Sequence, residues 1–326
     1  MKRIGLALSG GGIRAAIFHL GVLHYLADRK YFRNITSISS VSGASLCIGA
    51  IFAINGNTWP SEKDFLNHVK EDVRKLIIEK NIQASSLMQL PIHPAYWHNR
   101  VLLLSHMLTE RWGITGNLQN LPPFPFWEIN CTNFETGKPF RFRRDYMGDV
   151  STGYVQKPTI PIADMIAASA AFPVLIGPYI LNTDGMRFTK DKAGSQDEMP
   201  IKNHYALWDG GVYDNLGVEA LHKIGKGLDK EIDFLIVSNA SASIGTQERG
   251  RPSQNLKRLL DIAMSQVDAL RAREFESTVV NRGHGRYIKI GHPAQDYPTT
   301  LNSPTPENFE MIFNHGYDCA KKALNH

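Results

Sequence analysis

Three short segments hold residue types that do chemistry. "SSVSGAS" (39–45) places four serines among small residues. "SGGGIR" (9–14) sets three consecutive glycines before a basic residue. "WDGGVYDNLG" (208–217) puts an acid directly before two glycines. A serine activated for attack needs a sharp strand-to-helix turn with small neighbours, because the backbone there is cramped. Ser42 meets that need best, with Ser40 two before it, Gly43 after it and Ala44 two after it. Ser40 would have Ile38 before it, and Ser45 would have Cys47 after it. The pattern resembles G-x-S-x-G with both glycines replaced. A serine-rich turn that only caps a helix accounts for the same residues, and the segment alone leaves both readings open.

The glycine run admits two uses. Consecutive glycines between a strand and a helix expose successive N–H groups at a helix N-terminus, where negative charge is favoured. Such a turn cradles a phosphate or stabilises the oxyanion of acyl transfer. Neither G-x-G-x-x-G nor G-x-x-x-x-G-K-[ST] occurs here, so a nucleotide-binding reading is the weakest. Asp209, at a strand end, is placed to take a proton or to orient a group that does. Asp214 and Asn215 suit an Asx turn that caps the following helix.

These segments need elements to hold them. "IGLAL" (4–8) reads as a buried strand and residues 15–32 as a helix of 3.6-residue period. Residues 34–42 supply a second strand, and 43–56 a helix ended by Asn55-Gly56. Two strand–turn–helix units in succession predict an α/β fold, a mainly parallel central sheet flanked by helices. Ser61 with Asp64 starts a helix to about residue 80. Residues 126–143 form a hairpin, 160–173 a helix stopped by Pro173, and 205–211 and 231–240 strands. Ser253 is expected to cap a helix to about 280, followed by a strand at 286–291 and a last helix at 306–324. Residues 182–204 are polar and read as an exposed, mobile loop. Residues 84–127, rich in Leu, Met, Pro and Trp, are either a cap beside a site or a helical insertion of the core. As a cap they would approach lipid through Trp97, Leu102, Leu103, Met107 and Trp112.

Composition bounds the rest. A chain of 326 residues with 43% hydrophobic content builds one large domain, read here as 1–326. The net charge of +5 favours anionic partners without choosing among them. No basic block or RNP pattern is present, so nucleic acid is not an expected partner. Three scattered cysteines, Cys47, Cys131 and Cys319, point to neither a disulfide framework nor a metal site. No stretch has the apolar length of a membrane span. The expectation is a cytoplasmic protein that touches a membrane only from its surface.

Together, "GGGIR", "SVSGAS" and "DGG", with "NCTNFETGKPFRF" (130–142) and "AASAAFPVLIGP" (167–178), resemble the patatin-like phospholipases in content and order. That family includes plant storage acyl hydrolases and, more distantly, the cytosolic phospholipase A2 catalytic domain. The resemblance covers roughly residues 4–240. It implies a patatin-like three-layer sandwich and a Ser–Asp dyad in which Asp209 takes the proton of Ser42. It implies an oxyanion hole at Gly10, Gly11 and Gly12, with Arg14 near a phosphate head group. No metal or organic cofactor is implied, and the partner is a lipid substrate, at an anionic membrane surface. The chain departs from the family where Ser40 and Ala44 replace its usual glycines. Two other readings compete. One is an inactive module that binds lipid or a partner. The other is a Ser–His–Asp esterase using His222, His284, His292 or His315.

Overall fold

The computed structural model describes residues 2–83, 100–173, 176–194, 197–199, 202–245 and 250–325. Strand β1 (Ile4–Leu8) is buried along its whole length because it has neighbours on both edges. It pairs in parallel with β2 (Ile35–Ser40) and with β9 (Phe234–Asn239). Alternation along these strands feeds two cores. Leu6, Leu8, Ile38 and Ile236 face α1 (Gly12–Asp28), α2 (Gly43–Ile54) and α7 (Pro306–Leu324). Ala7, Leu235 and Val237 face Leu216, Val218 and Phe275 on the other side. Two cores on opposite faces of one sheet make three layers, as the alternating units predict.

The sheet has ten strands. β10 (Gly285–Lys289), β9, β1, β2 and β3 (Phe126–Asn133) are parallel neighbours. β4 (Pro139–Phe142), β5 (Tyr146–Asp149) and β6 (Gly153–Gln156) extend it as antiparallel strands. β7 (Tyr179–Asn182) pairs with β8 (His204–Asp209), and β8 pairs with β3. The predicted hairpin is the β3–β4 pair. Ser61 accepts from the Asp64 N–H and opens a helical run to Glu79, ending in α3 (Lys70–Glu79).

Residues 100–112 pack as the core-insertion reading of that segment expects. Helix α4 (Arg100–Trp112) buries Val101, Met107 and Trp112 in the main core beside α5 (Ile162–Ser169), Leu102 is partly buried there, and Leu103 is buried outside that cluster. Trp112 also donates to the Lys80 carbonyl at 3.0 Å. Their apolar content therefore serves packing and not a lipid surface. Trp97 lies outside the described residues. The described part of 182–204 is not simply exposed: Phe188 is buried, and Thr189 exchanges backbone hydrogen bonds with Tyr154 on β6. Helix α6 (Pro252–Phe275) begins one residue before Ser253, so Arg251 holds the N-cap position.

Candidate active site

The topology brings two distant segments together. β2 pairs with β3 as far as Ser40 opposite Ile129. β8 runs the other way and ends with Asp209 opposite Cys131. β4 occupies the far edge of β3, so β2 and β8 share the near edge and run head-on toward each other. They stop two positions apart along β3. Ser42, just past the end of β2, thereby meets Asp209 at the end of β8.

Ser42 adopts φ 51 and ψ −116, left-handed backbone that non-glycine residues rarely hold. Such a residue costs about 1–3 kcal/mol and persists only when its surroundings fix it. Here the Val41 N–H donates to Leu8 O at 3.2 Å, and the Ser42 N–H donates to Ser169 Oγ at 3.0 Å. Gly43 then starts α2 against the glycine loop: a Cβ on Gly43 would lie 2.0 Å from the Gly12 carbonyl oxygen. A side chain is thus excluded directly after Ser42.

The neighbouring serines have other partners. Ser169 Oγ donates to Asn130 O at 2.8 Å. Its one hydrogen being committed, Ser45 donates to it at 3.0 Å, and Ser40 in turn donates to Ser45 at 2.9 Å. Trp127 Nε1 donates to Ser40 at 2.8 Å, and Ser39 donates to Gly217 O at 2.6 Å. Ser42 alone of the four directs its hydroxyl at a carboxylate, that of Asp209. Ser40 is therefore a working partner of Trp127, not merely a tolerated substitute for glycine.

Asp209 is 3% exposed. Burial raises its pKa to about 6, against the pull of the Gly211 N–H at 2.8 Å and the Ser42 hydroxyl. A carboxylate lifted toward neutrality is a stronger base than one in water. Its backbone is held as well: Thr132 Oγ1 donates to Asp209 O at 2.9 Å, and the Asp209 N–H donates to Ala171 O at 3.0 Å. The Asx turn expected at Asp214 or Asn215 falls instead at Asp209, which accepts from the Gly211 N–H two residues on; Asp214 accepts from the Glu219 N–H, five residues on, at 2.8 Å.

The glycine loop differs in part from expectation. Gly11 (φ 139) and Gly12 (φ 63) have N–H groups that meet no acceptor among the described residues. The Gly10 N–H donates to Asn215 O at 3.1 Å, so it is not open to a substrate oxyanion. Arg14 is 1% exposed. It donates to the carbonyls of Ala240 and Tyr297, and its pKa is lowered by burial to about 10. Its Nη2 lies beside Gly11. The guanidinium therefore stands behind the loop, and two of its donors hold loops closed instead of reaching for a head group.

Ser42, Asp209, Gly10, Gly11, Gly12 and Arg14 all line one cavity of about 1080 Å³. Leu103, Leu104, Phe172 and Ile176 give it apolar walls, and α6 lines another side. Among the described residues no histidine lines it. His222 faces Glu274 at 3.6 Å, His292 faces Asp296 at 2.7 Å, and His315 accepts from the Gly291 N–H at 3.0 Å. His284 is exposed. No group of His, Cys, Asp or Glu suited to a metal ion occurs among the described residues.

Sequence reasoning missed a brace in this cavity. Asn215 Nδ2 donates to Asp268 Oδ2 at 3.0 Å and to Ser241 Oγ at 2.7 Å. Asn215 Oδ1 sits against both Gly10 and Gly211, tying the glycine loop to the Asp209 turn. Burial raises the Asp268 pKa to about 7. Asp268 carries no motif; its position on a helix of ordinary amphipathic pattern gave no signal.

A pH prediction follows from these two carboxyls. Asp209 must be ionised to take a proton, so kcat/KM is expected to fall as pH drops below about 6. Asp268 ionises near 7 and broadens that limb. A pH–rate profile of Asp268→Asn is expected to show one ionisation near 6.

A serine hydroxyl, a carboxylate and two N–H groups that meet no acceptor among the described residues thus line one large, partly apolar cavity. The profile of the family described as "Patatin-like phospholipase" matches residues 6–222, and the chain belongs to that family. No curated protein matches it in sequence. Among solved structures it is similar to human GIVD cytosolic phospholipase A2 in complex with methyl gamma-linolenyl fluorophosphonate and terbium chloride. That match has 12% identity and a TM-score of 0.53, covering 100% of this chain and 60% of that one. A second structure of the human enzyme matches with 14% identity and a TM-score of 0.50, covering 74% of this chain and 43% of that one. VipD from Legionella pneumophila has 18% identity and a TM-score of 0.47, covering 100% and 67%. The chain thus spans three fifths or less of the human chains. No described helix is long and apolar enough to cross a membrane.

Proposed function

We propose that the chain hydrolyses carboxylic ester bonds of phospholipids and related lipids through an acyl-enzyme on Ser42. The observation that carries this reading is the head-on meeting of β2 and β8, which sets the Ser42 hydroxyl against the buried Asp209 carboxylate. Asp209 takes the proton as Ser42 Oγ attacks the acyl carbonyl. The oxyanion forms against the N–H groups of Gly11 and Gly12, each worth about 3 kcal/mol in the transition state. Arg14, a buried cation with no carboxylate partner among the described residues, supports that negative charge from behind the loop. Asp209 then gives its proton to the leaving alcohol, and the same carboxylate activates the water that releases the fatty acid. No step calls on a metal or organic cofactor.

Mass spectrometry of phospholipid extracts incubated with wild type and Ser42→Ala tests this. The expected result is free fatty acid and a matching lysophospholipid from wild type only. Equal product from both proteins would overturn the proposal. Vesicle binding without product would point to an inactive binding module.

A further inference from the structure

Among the described residues ten large apolar side chains stand out as exposed, and four of them, Leu256, Leu259, Ile262 and Leu270, lie on α6. The other six occur singly along the sequence. At 100° per residue the four fall within an arc of about 120°, and the less bulky Ala263 and Gln266 share it. The opposite arc of the same helix carries Lys257, Arg258, Met264, Ser265 and Asp268, all lining the cavity that holds Ser42. Ile262 lies both in the exposed row and in the cavity lining, as does the polar Gln266 beside it, so the exposed face reaches the rim of the cavity. Surface leucines in such a row remain in water at a cost of about 25 cal/mol per Å² of apolar area. A monomeric protein seldom carries a contiguous apolar patch with no use.

We propose that the exposed face of α6 docks on an anionic phospholipid surface and sets the cavity mouth against it. This rests on the lipid-hydrolase reading above. The occupant follows from what lies next to the stripe. The substrate of that reading sits in an aggregated phase and must pass from it into the cavity, and α6 is the wall that faces both. The charge fits as well. Arg258 flanks the rim beside Lys257, which pairs with Asp261 at 2.7 Å, Arg251 and Arg273 are exposed near the helix ends, and the chain carries a net charge of +5. A helix with one apolar face and basic residues beside it lies in a membrane interface without spanning it.

The test uses sedimentation with phosphatidylglycerol vesicles and the Ser42→Ala background, so that binding is read without turnover. The triple variant Leu256→Gln/Leu259→Gln/Leu270→Gln alters exposed side chains only. Its vesicle affinity is expected to fall on the order of a hundredfold, given the apolar area removed. With Ser42 restored, its hydrolysis of a soluble short-chain ester is expected to stay within about twofold of wild type, since the stripe lies outside the dyad. Leu259→Trp, which keeps the face apolar, is expected to shift its emission to the blue when vesicles are added. Unchanged vesicle affinity in the triple variant, or no shift in Leu259→Trp, would overturn the proposal. So would a triple variant that only converts a dimer to a monomer, since the face would then be a subunit contact. Failure of the hydrolase reading would show separately, as no ester cleavage by wild type.

Discussion

Ser42→Ala is expected to lose lipid hydrolysis by a factor on the order of 10⁴ to 10⁶, with Asp209→Asn falling about as far. The two losses are not expected to add, because each removes the same proton transfer and attack. The double variant should match either single one. What remains would come from the Gly11 and Gly12 N–H groups and the cavity, which neither change touches. The fold should survive both. Ser42 Oγ packs no core, and alanine keeps the hydrogen bond from its backbone N–H to Ser169. Asparagine keeps the Oδ1 that accepts from Gly211. Steady-state rates beside thermal melts separate this from unfolding. A Ser42→Ala protein that melts normally yet keeps a tenth of the activity would place the nucleophile elsewhere.

Gly43→Ala is the second large effect, and it acts through backbone. The new Cβ would sit 2.0 Å from Gly12 O and 2.8 Å from Gly12 C. Neither is the end of a flexible side chain, so the start of α2 must move from the glycine loop. That motion separates Ser42 from the Gly12 N–H, the attacking atom from the donor meant for its product. A displacement near 1 Å costs on the order of 10²-fold in rate. Overpacking of this kind destabilises by about 1–3 kcal/mol. Activity should therefore fall far more than stability accounts for. Ala44→Gly, on the next residue, adds no atom and should leave the turn intact. A Gly43→Ala protein as active as wild type would mean that α2 and the loop need not meet.

The parts of the site that were legible in sequence are local. β1, the glycine turn, β2 and the start of α2 follow one another within 43 residues, and period and glycine placement mark each. Asp209 is different. It reaches Ser42 because β8 pairs antiparallel with β3 beyond the end of β2, and no periodicity encodes that pairing. Only the order of motifs pointed to it. Arg14 was expected near a head group, and helical spacing cannot show that the chain near Ala240 and Tyr297 returns over it. Gly10 looked equivalent to its neighbours until Asn215 O took its N–H. The apolar row of α4 and that of α6 read alike as sequence. One is buried against α5 and the other faces outward, a distinction set by tertiary packing alone.

The central claim is that Ser42 is the nucleophile and that Asp209 activates it without histidine. Labelling with a fluorophosphonate probe, followed by peptide mass mapping of wild type, Ser42→Ala and Asp209→Asn, reads this directly. The account predicts one adduct in wild type, on Ser42, none in Ser42→Ala, and strongly slowed labelling in Asp209→Asn. An adduct on another residue, or labelling of Ser42 at full rate in Asp209→Asn, would contradict it.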